Sequence, residues 1–219
     1  MPTRINKFVA QSTGLSRRAA DQAISEGRVK INDVLGTAGD QITETDRVSL
    51  DGIRILAPSK TTTIILNKPF GYVCSREGQG SQTVYELLPE KYHKLKTVGR
   101  LDKDSSGLIL LTDDGDLAQE LTHPKYTKTK IYEVRLSKTL EPLHQQMIND
   151  IGVQLQDGRS KLILQSLDDS RQIWQVTMSE GRNRQIRRTF ESLGYKVTKL
   201  HRTKFGNYDL GNLEIGKYL

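Results

Sequence analysis

The chain carries one cysteine, Cys74, in 219 residues, which excludes an internal disulfide framework and a multi-cysteine zinc site. No apolar run approaches the ~20 residues that a bilayer-spanning helix needs. The opening segment MPTRINKFVAQ lacks the apolar core of a secretory signal, so the cytosol is the expected compartment and no membrane association is expected. Six prolines and the absence of any low-complexity tract argue against extended disorder. His93, His123, His144 and His201 are widely separated and lack metal-ligand spacing, so no metal is expected. There is no Walker loop and no G-x-G-x-x-G, so neither ATP nor NAD is expected.

The net charge of +7 is unevenly placed. Residues 1–30 hold Arg4, Lys7, Arg17, Arg18, Arg28 and Lys30 against Asp21 and Glu26, a local charge of +4. Residues 181–204 hold eight Lys/Arg against Glu191, a local charge of +7, which leaves −4 for the rest. Two basic blocks suit a polyanion, and nucleic acid is the obvious one. Two solvated helix faces would give the same count.

Residues 3–27 read as two short helices. Ile5, Phe8 and Val9 recur at helical spacing up to Gly14; Ser16 caps a second stripe of Ala19, Ala20, Ala23 and Ile24, and Gly27 follows it. Arg17 and Arg18 fall in the first turn of that second helix, where a bound phosphate would offset their repulsion from the helix dipole. RVKIND and RVSLDG read as short strands, with Asp51-Gly52 as a turn. ILAPSKTTT has no periodicity, which places a domain boundary near residue 59 and gives units 1–58 and 59–219. Beyond it, residues 63–68, 107–112, 130–136 and 172–178 read as strands. Residues 83–88, 115–121 and 183–193 read as helices, the last ended by Gly194.

Three constellations could carry chemistry. Val98–Gly107 is a polar loop with Arg100, Asp102 and Asp104 that runs directly into the apolar strand LILLT. Spacing alone is also met by a connector whose aspartates cap backbone amides. Lys130-Ile131-Tyr132 lies in a strand, where a tyrosine is commonly plain packing. Gly181-Arg182-Asn183-Arg184-Gln185-Ile186-Arg187-Arg188 opens a helix with four arginines, which a solvated basic turn would also explain.

GRLD followed by S-S-G-L-I-L-L-T-D-D-G resembles the catalytic motif of the ribosomal RNA pseudouridine synthases of the RsuA/RluB type. The K-x-Y and G-R-N-R-Q-I-R-R stretches match that family in the same order. Asn67-Lys68-Pro69-Phe70-Gly71 resembles its N-K-P-x-G motif, a strand-to-turn element beside the cleft with Lys68 open to an RNA contact. Residues 3–50 resemble an S4 RNA-binding domain, although Asp33 stands where that family often has glycine, which leaves the turn geometry open.

The resemblance implies an α+β fold. A small helical S4 domain precedes a catalytic domain with a mixed, mostly antiparallel sheet and a central cleft. Pseudouridylation detaches uracil from ribose and rejoins it through C5, so no cofactor is implied. In this family Asp102 would be the catalytic carboxylate, either attacking C1′ or removing the C2′ proton. Tyr132 would stack on the base, and Arg187 would pair with Asp102 and keep it ionised. Ile186 would pack beside the base and Arg100 would fill the space it leaves. Lys130, Arg182, Arg184 and Arg188 would bind RNA near the site, and Arg4, Lys7, Arg17, Arg18 and Arg28 would do so from the S4 domain. The implied partner is ribosomal RNA or a ribosome-assembly intermediate, met by a monomer, with 23S RNA favoured and 16S RNA left open. A non-catalytic S4-type assembly factor is the competing reading, but a pure binder has no need of all three catalytic motifs.

Overall fold

The computed structural model describes residues 2–57 and 61–219, and these form two compact units. The expected boundary at residues 58 and 59 lies outside the described residues. One unit holds the described residues up to Thr62 together with Asp113–Gly115. It contains β1 (Thr3–Arg4), α1 (Ile5–Thr13), α2 (Arg17–Ser25), β2 (Val29–Ile31), β3 (Val34–Leu35), β4 (Gln41–Ile42), β5 (Val48–Leu50) and β6 (Ile53–Ile55). The helices form where the sequence places them. Gly14 ends α1 in the left-handed region at φ 79°, and the Ser16 hydroxyl accepts the Ala19 amide at 3.1 Å to start α2. Ile5, Val9, Ala20, Ala23 and Ile24 meet Val29 and Val48 of an antiparallel sheet ordered β3-β2-β5-β6. The turn that departs from the S4 pattern closes with Asn32 at φ 48° and Asp33 at φ 70°, so Asp33 takes the conformation a glycine would. The Asn32 amide steadies the turn by donating to Asp46 at 2.7 Å.

The second unit is built on an eight-stranded sheet. Its strands are β7 (Thr63–Lys68), β8 (Lys96–Val98), β9 (Ser106–Thr112), β10 (Lys130–Leu136), β13 (Ile163–Ser166), β14 (Ile173–Met178), β15 (Val197–Phe205) and β16 (Tyr208–Asp209). A separate hairpin joins β11 (Val153–Leu155) to β12 (Gly158–Ser160). The helices are α3 (Gly115–Thr122, which begins in the first unit), α4 (Pro142–Gln146) and α5 (Gln185–Glu191). The strand order is β13-β14-β10-β15-β9-β7, and only β9 and β15 run parallel. This is the mixed, mostly antiparallel sheet expected. Among the described residues no helix is long and apolar enough to cross a membrane.

The unbroken apolar run of β9 has a packing reason. Ile109 and Leu111 face a large core with Val134, Trp174 and Phe190, while Leu108 and Leu110 face a smaller one with Val98, Leu121 and Phe205. Both faces are covered, so no alternation appears. β9 and β15 meet only through His201–Ser106 and Arg202–Gly107, which divides the sheet into two halves. The approach at Gly107 admits no side chain: its φ is +103°, and a Cβ there would lie 2.2 Å from the Arg202 carbonyl oxygen. The loop that carries Arg100, Asp102 and Asp104 enters β9 at this junction.

Candidate active site

The loop 99–105 is held from beneath. Gly71 N–H donates to the Lys103 carbonyl at 2.8 Å, and Leu101 N–H points at the Cys74 thiol at 3.4 Å. Ser105 N–H closes a turn onto the Asp102 carbonyl at 3.1 Å. Lys68 lies fully buried with its ammonium on the Pro69 carbonyl at 2.9 Å, so it supports the turn from inside. Burial pushes the Lys68 ammonium below its ordinary range and the Cys74 thiol above it.

Asp102 faces an arginine, but not the one expected. Arg184 Nη1 lies 3.4 Å from Asp102 Oδ2 and also donates to Asp104 Oδ1 at 2.9 Å, while its Nη2 donates to Asp104 Oδ2 at 2.8 Å. Arg187 pairs with Asp104, Nε to Oδ2 at 3.3 Å, and donates to the Asp104 carbonyl at 2.6 Å and to that of Val197 at 2.9 Å. The expected Arg187–Asp102 pair is therefore replaced by two arginines sharing Asp104, one of which also reaches Asp102. The cause is the backbone at Arg184. It is the residue before α5, in the left-handed region at φ 44°, so α5 begins at Gln185 and not at residue 183. The Arg184 hydrogen bonds hold the Asp104 carboxyl below its ordinary range against an opposing push from burial. Burial pushes the Arg187 guanidinium down.

The loop before α5 is fixed by buried polar contacts. The Gln185 amide donates to Ser160 Oγ at 3.0 Å and to Glu180, and its oxygen accepts the Arg182 amide at 3.2 Å. Thr189 adds a bond to Ser160 at 2.8 Å. Asp157, at the tip of the β11–β12 hairpin, takes Arg188 bidentately at 3.0 and 2.7 Å and Arg182 at 3.0 Å. Arg182 also spans the Gly158 and Arg159 carbonyls. Both guanidiniums expected to hold phosphate are thus paired with the same acidic hairpin turn, Arg182 through its carbonyls as well. Arg28 is likewise held by Asp51 at 2.8 and 2.7 Å. Arg4, Arg17 and Arg18 are exposed, and Lys7 is half-buried.

A cavity of about 570 Å³ opens beside this cluster. Asp102, Arg100, Tyr132, Lys130, Ile186 and Arg184 all line it, so the three sequence motifs converge on one space. Tyr132 is buried on β10, next to the step from Ile131 where pairing with β15 shifts register. Such a bulge re-aims side chains, and it lies beside the strand that supplies Arg202. Lys130 closes one wall by bonding the Glu180 carbonyl at 3.2 Å, and burial lowers its ammonium. Arg187 does not line the cavity; it sits behind Asp104.

Sequence reading missed the part several residues play here. Arg202 lines the cavity while buried; its Nε donates to the Leu108 carbonyl at 2.8 Å and its guanidinium lies 4.8 Å from the Phe205 ring centre. The only signal was membership of the basic block. Asp157 and Asp104 organise four arginines between them; Asp104 was noted with its loop but not as the arginines' partner, and Asp157 carried no signal. The turn His123–Lys128 also lines the cavity, with His123 Nδ1 accepting the Lys125 amide at 3.2 Å.

Residues 62–192 match the RNA pseudouridylate synthase family, and residues 3–48 match the S4 domain. Ribosomal large subunit pseudouridine synthase B of Bacillus subtilis (strain 168) is 35% identical over 220 residues, covering 97% of this chain and 89% of its own length. Ribosomal small subunit pseudouridine synthase A of Pasteurella multocida (strain Pm70) is 37% identical over 221 residues, covering 98% and 94%. A crystal structure of a pseudouridylate synthase shares the fold with a TM-score of 0.69 at 36% identity, covering 99% of this chain and 94% of that one.

Proposed function

The chain belongs to the RNA pseudouridylate synthase family, as a pseudouridine synthase of the RsuA/RluB type, and from that premise we propose that it isomerises a uridine of large-subunit ribosomal RNA with Asp102 as the catalytic carboxylate. The observation that carries the assignment is the convergence of Asp102, Tyr132 and Ile186 on one cavity, with the Arg184 guanidinium 3.4 Å from the carboxylate. The Bacillus subtilis relative, named for the large subunit, supports that target; the Pasteurella multocida relative, named for the small subunit, makes 16S RNA the substrate to test beside it. The enzyme works as a cytoplasmic monomer on ribosomal RNA or an assembly intermediate.

The chemistry needs a carboxylate and a closed space. A uridine flipped out of its stack enters the cavity, and its ring packs between Tyr132 and Ile186. Asp102 acts at the ribose, as a nucleophile at C1′ or as a base at C2′, and the N1–C1′ bond breaks. The freed uracil turns while the walls hold it close, and C5 bonds to C1′ as the Asp102–C1′ bond breaks on the nucleophilic route, or as Asp102 returns the proton to C2′ on the other. The C5 proton leaves, helped by the Tyr132 hydroxyl, and N1 gains one, so the product is an isomer. Arg184 balances the Asp102 charge, and Arg187 acts at one remove by fixing Asp104. Arg100, at the exposed rim of the cavity, fills the gap left in the RNA stack.

Pseudouridine mapping of 23S and 16S RNA from cells lacking the gene tests this. One site is expected to vanish from 23S RNA and to return with the wild-type gene but not with Asp102→Asn. Return with Asp102→Asn would refute the carboxylate's role, and loss of a 16S site would move the target.

A further inference from the structure

A second groove, of about 690 Å³, adjoins the first cavity. Phe70, Asp104, Arg184, Arg187 and Lys196 line it, and Arg184 lines both spaces. Asp102 faces the first and Asp104 the second, with the Arg184 guanidinium between them. The groove carries three cations against Asp104 and Glu191, so it keeps a net positive charge.

Phe70 is the odd residue of this groove. It is 69% exposed, on the turn that follows the fully buried Lys68. That turn is rigid, because the next residue, Gly71, donates its amide to Lys103 in the Asp102 loop at 2.8 Å. A large apolar ring held open to water at this position has no packing role. An aromatic face beside cations is what unpaired nucleotides bind, through base stacking and phosphate contact.

We infer that the second groove is a subsite for a single-stranded nucleotide next to the target uridine, its base stacked on Phe70 and its phosphate held by Lys196 and Arg184. This rests on the reading of the first cavity as the uridine pocket. The strand would run from one space to the other across Arg184, and that passage would draw Arg184 from Asp104 toward phosphate.

The test needs no turnover, so it stays separate from the test of isomerisation. The full chain is titrated with a fluorescein-labelled, mixed-sequence 12-nucleotide single-stranded RNA, and binding is read by anisotropy. Phe70→Ala is expected to weaken binding about ten-fold, the size of one lost base–aromatic stack. Phe70→Trp is expected to bind like wild type and to report directly, since the native Trp174 is fully buried. Its added fluorescence should be quenched by the RNA, and not by an abasic strand of the same length. Unchanged affinity in Phe70→Ala, or equal quenching by the abasic strand, would overturn the subsite. Because Phe70 is exposed, loss of fold does not confound the result, and unaltered melting of both variants confirms that.

Discussion

Asp104→Asn isolates the ion cluster beside Asp102. The substitution keeps shape and removes one negative charge from a site where two arginines converge. The Arg184 share is half open to solvent, so it contributes about 0.5 kcal/mol. Arg187 is different: its side chain is only 12% exposed, and beyond the 3.3 Å ion pair its Nε has no hydrogen-bond partner among the described residues. Leaving that guanidinium without its counter-charge costs roughly 1.5 kcal/mol, since two backbone carbonyls still accept from it. The total of about 2 kcal/mol corresponds to a Tm lower by roughly 4–8 °C for a chain of this size. The pH dependence has a definite sign. The folded-state pKa of Asp104 is depressed, chiefly by its hydrogen bonds from Arg184, so the stabilisation is present above the ordinary carboxylate range and is lost as pH falls through the folded value. Thermal melts followed by circular dichroism should show the full gap between wild type and variant at pH 7 and a narrowing gap below about pH 4. A Tm within about 1 °C of wild type at pH 7, or a gap that does not narrow on acidification, would refute the reasoning.

Three further outcomes follow from the geometry. Gly107→Ala places a Cβ 2.2 Å from one backbone atom of Arg202 and 2.5 Å from another at positive φ, so it should lose more than about 4 kcal/mol and fail to give a cooperative melt. Tyr132→Phe should melt like wild type but form pseudouridine roughly 10²-fold more slowly if its hydroxyl moves the C5 proton, whereas Tyr132→Ala should also lose about 3 kcal/mol of stability. Equal rates for Tyr132→Phe and wild type would remove the hydroxyl from the mechanism. Binding of ribosomal RNA should weaken with salt, with a log–log slope of about −2 or steeper if three or more phosphates are held. A flat titration would show that neither basic block contacts RNA backbone.

Much of the scaffold was legible because local rules and packing agree. The Lys130–Leu136 strand has the bounds its β-branched pattern implies, and Gly14 and Gly194 stop their helices at positive φ. The apolar run of β9 was recognisable as a strand, although only the structure shows why it does not alternate. The motif residues Asp102, Tyr132 and Ile186 do share a cavity. The choice of partners was not legible. Arg184 and Arg187 are three residues apart, and which one meets which aspartate turns on a left-handed backbone at Arg184 and on contacts across some eighty positions. That Arg182 and Arg188 share Asp157 was not legible either, because Asp157 lies in a hairpin turn with no motif of its own. The partner of Arg28 was hidden for the same reason, Asp51 being assigned only to a turn. Net charge counts cations, and only the fold says which are already paired.

The central claim concerns the carboxylate at the mouth of the cavity. Purified wild type and Asp102→Asn, mixed in excess with 23S RNA labelled with tritium at uridine C5, should bind that RNA within about two-fold of each other, since Asp102 carries no share of the phosphate grip. Release of tritium in a single turnover should fall at least 10²-fold in the variant, as expected for loss of the group that acts at the ribose. Release by Asp102→Asn within about ten-fold of wild type would contradict the account.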